Sequence, residues 1–323
     1  MSEAMIYDSI IIGNGPAGVA AAIYAVRREM RILQIGKQPG GQIALAGEIE
    51  NYPGFASITN FELIQKFQDH LKSAGVEQKT ADVTKIQKKE DGTFEVFTAK
   101  DKYDAKSLII AMGLQPRRLA IPGEEKLAGR GVSYCANCDG PLYKGKRVAV
   151  VGGGNAALDA AEVLSKIAKE VYLIHRSEQF RAFEELVDEV KRRENIKLVL
   201  NSEVAEIVGE KKLEKLRIKN NQSNDISEIE VDGLFIEIGR IAHTDLVDGL
   251  VERNQYKQIV VDEKCRTSRE GIFAAGDVTQ VEYKQITVAM GQGTIAALAA
   301  YQYLQAKQGK EVGVIIDRSK HRQ

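Results

Sequence analysis

Short apolar runs recur along the chain, and glycine closes several of them. Ser9 to Ile12, Val148 to Val151 and Val171 to Ile174 are too short for helices, and they predict strands buried on both faces, as in a parallel sheet. Ser107 to Gly113 ("SLIIAMG") and Asp232 to Gly239 ("DGLFIEIG") predict two more strands that end in glycine. Gly271 to Val278 ("GIFAAGDV") predicts another, ending in Asp277, and Tyr283 to Leu304 predicts a long helix packed on both sides through small residues. Phe97 to Ile110 alternates enough to predict a hairpin feeding its last strand. The tail, Asp317 to Gln323, reads as frayed.

Between the Ser9–Ile12 run and an alanine-rich helical stretch lie Gly13, Gly15 and Gly18, spaced as G-x-G-x-x-G. Each glycine has a task there: a tight turn, backbone approach to a pyrophosphate, and close packing of helix on strand. The start of the helix offers N–H donors to the phosphates. A second copy begins 139 residues on, where Val148 to Val151 leads into Gly152, Gly154 and Ala157 as G-x-G-x-x-A. Two such modules imply two nucleotide cofactors. The strands at 107–113 and 232–239 bracket the second copy, as if the chain left one domain and returned to it.

The residue just past the second strand of such a module separates the nucleotides, because an acid there holds a ribose. In the second module this place is basic: His175, Arg176 and Arg181, in "HRSEQFR". Cations suit the 2′-phosphate of NADP, whereas an ordinary solvated basic turn would read the same. In the first module the place falls on Gly36, which holds nothing.

Composition narrows the class. A chain of 323 residues with 44% apolar and 28% charged residues reads as a two-domain globular enzyme. Lys+Arg and Asp+Glu both number 45, so no strong field recruits nucleic acid or a membrane. The early apolar run is too short for a signal-peptide core or a membrane span, and a cytoplasmic protein is expected. Disulfides in that compartment are usually transient and catalytic.

Cys135 and Cys138 stand in "YCANCDG", 14 residues before Gly152 at the nearer cysteine. A structural zinc site needs more ligands, and Cys265 and the histidines at 70, 175, 243 and 321 are scattered. A staple across so short a loop would stabilise little. A thiol–disulfide pair remains, with one sulfur to attack and one to resolve. Asp139 follows directly; it could pass a proton to a leaving thiolate, or simply form a turn before Gly140.

Together "GNGPAG", "GGQ", "ENYPG", "CANCDG", "GGGNAALDAA", "HRSEQFRA", "GIFAAGDV" and "YKQITVAMGQG" resemble, in order, the low-molecular-weight, prokaryotic-type thioredoxin reductases, which are class II pyridine nucleotide-disulfide oxidoreductases. The resemblance covers nearly the whole chain. It implies an α/β fold of two Rossmann-like dinucleotide-binding domains of the three-layer ββα type. Residues 1–116 and 245–323 would form a discontinuous FAD-binding domain, and residues 117–244 an NAD(P)H-binding domain carrying the cysteine pair. FAD would lie on Gly13, Gly15, Pro16, Ala17 and Gly18, with Gly41, Gln42 and Asn51 near the flavin. Asp277 would bind the ribityl chain, and Lys284, Gln285 and Ile286 would meet the isoalloxazine. NADPH would lie on Gly152, Gly154, Asn155, Ala156 and Ala157, with His175, Arg176 and Arg181 at its phosphate. Cys138 would face the flavin, and Cys135 would attack the disulfide of thioredoxin. A homodimer is implied, and a swing of one domain against the other about the crossings Gly113–Arg118 and Gly239–Asp245.

Two departures stand out. Asn137 replaces the usual Thr of the redox motif. Ser177, followed by Glu178, replaces an Arg of the NADPH signature, which lowers the expected preference over NADH. Other readings keep the same core: ferredoxin or NADH as donor, or a flavin-bound redox sensor. The peroxide-defence flavoproteins carry an added N-terminal redox domain, for which Met1 to Ile12 leaves no room.

Overall fold

The computed structural model describes residues 6–45, 48–310 and 313. The tail expected to fray lies outside them. The chain divides into two compact units: Met1–Ala44 with Glu48–Leu114 and Ala242–Gln323, and Gln115–Ile241 with Leu45–Gly47. The crossings thus fall at Leu114 and Ile241, slightly before the expected 116 and 244.

The first unit is built on a five-stranded parallel sheet in the order Ile272–Ala274, Leu108–Ile110, Ser9–Ile12, Ile32–Gly36, Glu77–Thr80. Ser9–Ile12 is buried at every position, which is why it reads as a continuous apolar run rather than an alternating one. Ile10 and Ile12 pack with Phe94 and Val96 of a second, four-stranded sheet. Helices Pro16–Arg27 and Ile286–Lys307 pack on one another. Their closeness demands small residues: a Cβ on Gly293 would meet the Ala17 carbonyl oxygen at 2.1 Å. The expected hairpin forms from Phe94–Thr98 and Lys102–Ala105, paired antiparallel.

Two elements are shorter than their patterns predict. The strand expected over residues 271–278 covers Ile272–Ala274, because Gly276 turns at φ +79° into the 3₁₀ turn Gly276–Val278. The long helix starts at Ile286 instead of Tyr283, since Gln285 is extended and forms its N-cap.

The second unit repeats the plan. Its parallel sheet runs in the order Val132–Ser133, Gly233–Ile236, Arg147–Val151, Glu170–Ile174, Ile196–Val199. Strand Arg147–Val151 shows the layers. Val148 and Val150 face helix Asn155–Ser165, and Ala149 and Val151 face the antiparallel strands Ser202–Val208, Lys215–Asn220 and Ile226–Glu230. Each unit is therefore the expected three-layer sandwich of helices, parallel sheet and a second sheet, which is antiparallel in the second unit and antiparallel in the first but for the parallel pair Ile6–Tyr7 and Lys102–Ala105. The two crossings, Gln115–Pro116 and Arg240–Ile241, pair antiparallel. Among the described residues no helix is long and apolar enough to cross a membrane.

Candidate active site

In the first unit the chain leaves strand Ser9–Ile12 at Gly13, whose φ of +131° excludes a side chain, as does the Ala111 carbonyl oxygen, 2.1 Å from where a Cβ would stand. A Cβ on Gly18 would lie 2.0 Å from the Gly13 carbonyl oxygen, so the third glycine of the motif sets helix against strand. Gly15 and Gly41 face each other as bare backbone: a Cβ on Gly41 would come within 3.0 Å of the Gly15 Cα. Pro16 opens the helix, where a missing N–H costs nothing.

Further side chains gather in the same unit. Gln42 Nε2 donates to Asp277 Oδ2 at 2.9 Å, and Asn51 Nδ2 donates to Gln285 Oε1 at 3.2 Å. Lys284 Nζ donates to the carbonyls of Asp277 and Thr279 at 3.0 and 2.8 Å, and its partial burial lowers its pKa. Ile286 is the first helical residue after Gln285.

Two residues of this site escaped the sequence pattern. Asn14 is buried; its Nδ2 donates to the Gly36 carbonyl at 3.1 Å, while its Oδ1 has no partner among the described residues. This explains Gly36, since a Cβ there would lie 2.7 Å from the Asn14 side chain. Gln34 is fully buried and donates to the Gly13 carbonyl at 3.0 Å, bracing the turn from below. A lone amide inside the apolar run "RILQIG" was the available signal for it.

In the second unit Gly152 makes the corresponding turn at φ +151°, with Ala157 packed against it. Gly154 caps helix Asn155–Ser165 and has nothing within 4 Å of its would-be Cβ. Asn155 Oδ1 accepts the Phe183 N–H at 2.9 Å, and the Arg181 N–H donates to the Gly153 carbonyl at 2.7 Å, so the basic segment is tied to the glycine loop. Ala156 is exposed beside them.

The basic trio separates into two roles. Arg176 and Arg181 are exposed. His175 instead lies where a Cβ on Gly153 would strike its ring, and it stacks on Phe180 at 5.4 Å. Its Nε2 is 3.1 Å from the Gln179 carbonyl, which can only accept, so Nε2 carries the proton. Burial lowers its pKa, and the two nearby arginines act in the same direction. His175 thus supports the loop as a neutral ring.

The cysteine motif follows strand Val132–Ser133. Cys135 is buried and disulfide-bonded, and its N–H donates to Ser133 Oγ at 3.0 Å. A single helical turn, Ala136–Asp139, comes next, with the Asp139 N–H on the Cys135 carbonyl at 3.2 Å. The Cys138 side chain lies outside the described residues; that of Asp139 is half-buried. Tyr134 donates to Glu124 at 2.7 Å, and this buried carboxylate also accepts the N–H groups of Leu119 and Ala120. Cys265 is free and buried, and burial pushes its thiol up to about 12. Among the described residues no cluster could hold a metal ion.

Residues 7–293 match the family of pyridine nucleotide-disulphide oxidoreductases. The thioredoxin reductase of Bacillus subtilis is 39% identical over 312 residues, covering 95% of this chain and 98% of its own. The crystal structure of Lactococcus lactis thioredoxin reductase in its FR conformation is 38% identical and matches with a TM-score of 0.83, over 93% of this chain and 99% of that one. One component of the Escherichia coli alkyl hydroperoxide reductase is 39% identical over 303 residues, covering 92% of this chain but only 58% of that longer relative.

Proposed function

The chain belongs to the pyridine nucleotide-disulphide oxidoreductase family, and on that premise we propose that it is a thioredoxin reductase that carries electrons from NADPH through FAD and the Cys135–Cys138 pair to thioredoxin. The observation that carries the reading is the disulfide at Cys135, at the head of a helical turn in the unit that also holds the second glycine loop. Cys265 is free, and the chain has three cysteines, which supports Cys138 as the partner.

When bound, the nicotinamide would supply a hydride and the flavin would hand two electrons to a disulfide. The chain's own residues divide the remaining work. In the first unit Gly15 and Gly41 leave bare backbone for the FAD pyrophosphate, Gly13, Pro16, Ala17 and Gly18 form the turn and helix start that present it, and the Asn14 Oδ1, unpartnered among the described residues, suits a hydroxyl donor. The Gln42–Asp277 and Asn51–Gln285 pairs, with Lys284 and Ile286, line the flavin end. In the second unit Gly152, Gly154, Asn155, Ala156 and Ala157 take the nicotinamide nucleotide, with Arg176 and Arg181 at its 2′-phosphate and His175 propping the loop. Once the pair is reduced, the Cys135 thiolate attacks the thioredoxin disulfide, and Asp139 protonates the leaving thiolate. Cys138 then attacks the mixed disulfide, which releases reduced thioredoxin and restores the pair. A cytoplasmic homodimer that takes no nucleic acid and no membrane as partner completes the reading.

The test is anaerobic: NADPH should bleach the flavin spectrum of the purified protein, and thioredoxin should restore it. NADH should work measurably but less well, because Ser177 stands where a third cation would help. Arg176→Ala is expected to raise the KM for NADPH about tenfold to a hundredfold, the range of one charge-assisted contact, and to change that for NADH little. Equal effects on both cofactors would show that Arg176 does not read the 2′-phosphate.

A further inference from the structure

Two parallel strands of the second unit run side by side into the redox segment. Val132 and Ser133 pair with Leu234 and Phe235. One strand therefore continues towards Cys135 and the other towards Glu237. The Glu237 N–H donates to the Val151 carbonyl at 2.9 Å, and its own carbonyl oxygen would meet a Cβ on Gly152 at 2.3 Å. Its carboxylate accepts the backbone N–H of Ala136, the residue next to the disulfide-bonded Cys135. The Glu237 carboxyl is thus held at the redox turn, on a strand end that touches the glycine loop.

This is an unusual place for an acid. Burial pushes Glu237 up to about 7, against the opposing pull of Arg240 and of the Ala136 N–H. Asp139 closes the turn that Ala136 opens, and the Arg240 guanidinium acts on the Glu237 carboxyl from its own segment. The disulfide itself is neutral. A thiolate formed on the pair puts a negative charge beside Glu237 and opposes its ionisation further.

We propose that Glu237 is a proton-holding partner of the redox pair: its carboxylate takes up a proton as the disulfide is reduced and returns it as the dithiol is oxidised. The proposal rests on Cys135 and Cys138 being that pair. The step balances against a simple dithiol reductant. The reductant gives two electrons and two protons and becomes a disulfide. The S–S bond of the protein breaks, one sulfur leaves as a thiol and the other as a thiolate, and the second proton goes to Glu237. Glu237 acts through the pair and is a positioning residue for its charge, distinct from the role of Asp139 towards the leaving thiolate of thioredoxin.

The experiment equilibrates the flavin-loaded protein with dithiothreitol redox buffers from pH 7 to 8.5. The pair is read as a mass shift of two maleimides after quenching under denaturing conditions, so flavin colour does not enter. Without Glu237, reduction takes up one proton fewer. The equilibrium constant of Glu237→Gln relative to wild type should then rise by up to about tenfold per pH unit, equivalent to about 30 mV per unit for a two-electron couple. Gln keeps an acceptor for the Ala136 N–H, so a purely structural role predicts that it behaves as wild type. Glu237→Leu removes the acceptor as well and should show the same pH slope as Gln. A Gln-to-wild-type ratio that stays constant with pH overturns the role of Glu237 and leaves the redox pair standing. A pair that does not equilibrate with dithiothreitol at all overturns the redox reading and this role with it.

Discussion

Cys135→Ser and Cys138→Ser are each expected to bring thioredoxin reduction down to the uncatalysed background while leaving NADPH-driven bleaching of bound flavin intact. Hydride transfer needs no thiol, whereas disulfide exchange needs both. A thiolate must attack the partner, and a second must resolve the mixed disulfide. Serine does neither at neutral pH. Cys135 is suited to the exchange because it is already disulfide-bonded, its N–H fixed by Ser133 at the head of a helical turn. Cys265 supplies the control. It is free, buried and pushed up to about 12, and its thiol donates to the Gln292 carbonyl at 3.5 Å, a bond that a serine hydroxyl can replace. Cys265→Ser should leave turnover unchanged and cost about 1 kcal/mol of stability. The readout is coupled thioredoxin reduction beside anaerobic flavin spectra. A Cys135→Ser, Cys138→Ser double variant that still reduces thioredoxin would remove the pair from the electron path.

The same contrast between backbone signals and side-chain contacts explains what could be read from the chain itself. Ser9–Ile12 was legible to the residue because it is buried on both faces and glycine ends it. Strand Gly233–Ile236 was legible as a run, but its pattern extends to Gly239 and hides that Glu237 already stands beyond the strand. The antiparallel strands from Ser202 to Glu230 were not read at all: many of their outer positions are exposed and polar, and a half-buried meander gives a weaker signal than a buried parallel strand. Among site residues, the glycines were legible because backbone approach demands them. His175 was read as one of three cations, since charge counts cannot show a ring packed under Gly153. Asn14 and Gln34 make buried contacts with neighbours distant in sequence, which no local spacing encodes.

Two glycines of the glycine-rich loops should respond in opposite ways, and the difference separates folding from binding. A Cβ on Gly18 would stand 2.0 Å from the Gly13 carbonyl oxygen, a backbone atom with nowhere to go. Gly18→Ala must therefore shift helix Pro16–Arg27 from its strand, at a cost of about 1–3 kcal/mol or more, and the purified protein should lose flavin and melt earlier. Gly154 is different. Its backbone is ordinary extended N-cap backbone, at φ −103° and ψ −179°, and nothing lies within 4 Å of its would-be Cβ. Gly154→Ala should fold, keep its flavin and lose about 1 kcal/mol or less, the difference between Gly and Ala as N-caps. That open space is what a pyrophosphate would occupy. A methyl group there should push the nucleotide away from the helix start and raise the KM for NADPH by about tenfold or more, and NADH should suffer equally because both share the pyrophosphate. Melting curves and flavin content measure the first effect, and cofactor kinetics the second. If Gly154→Ala used NADPH at the wild-type KM, the loop would not be where the nucleotide binds, and the donor's place in the second unit would have to be given up.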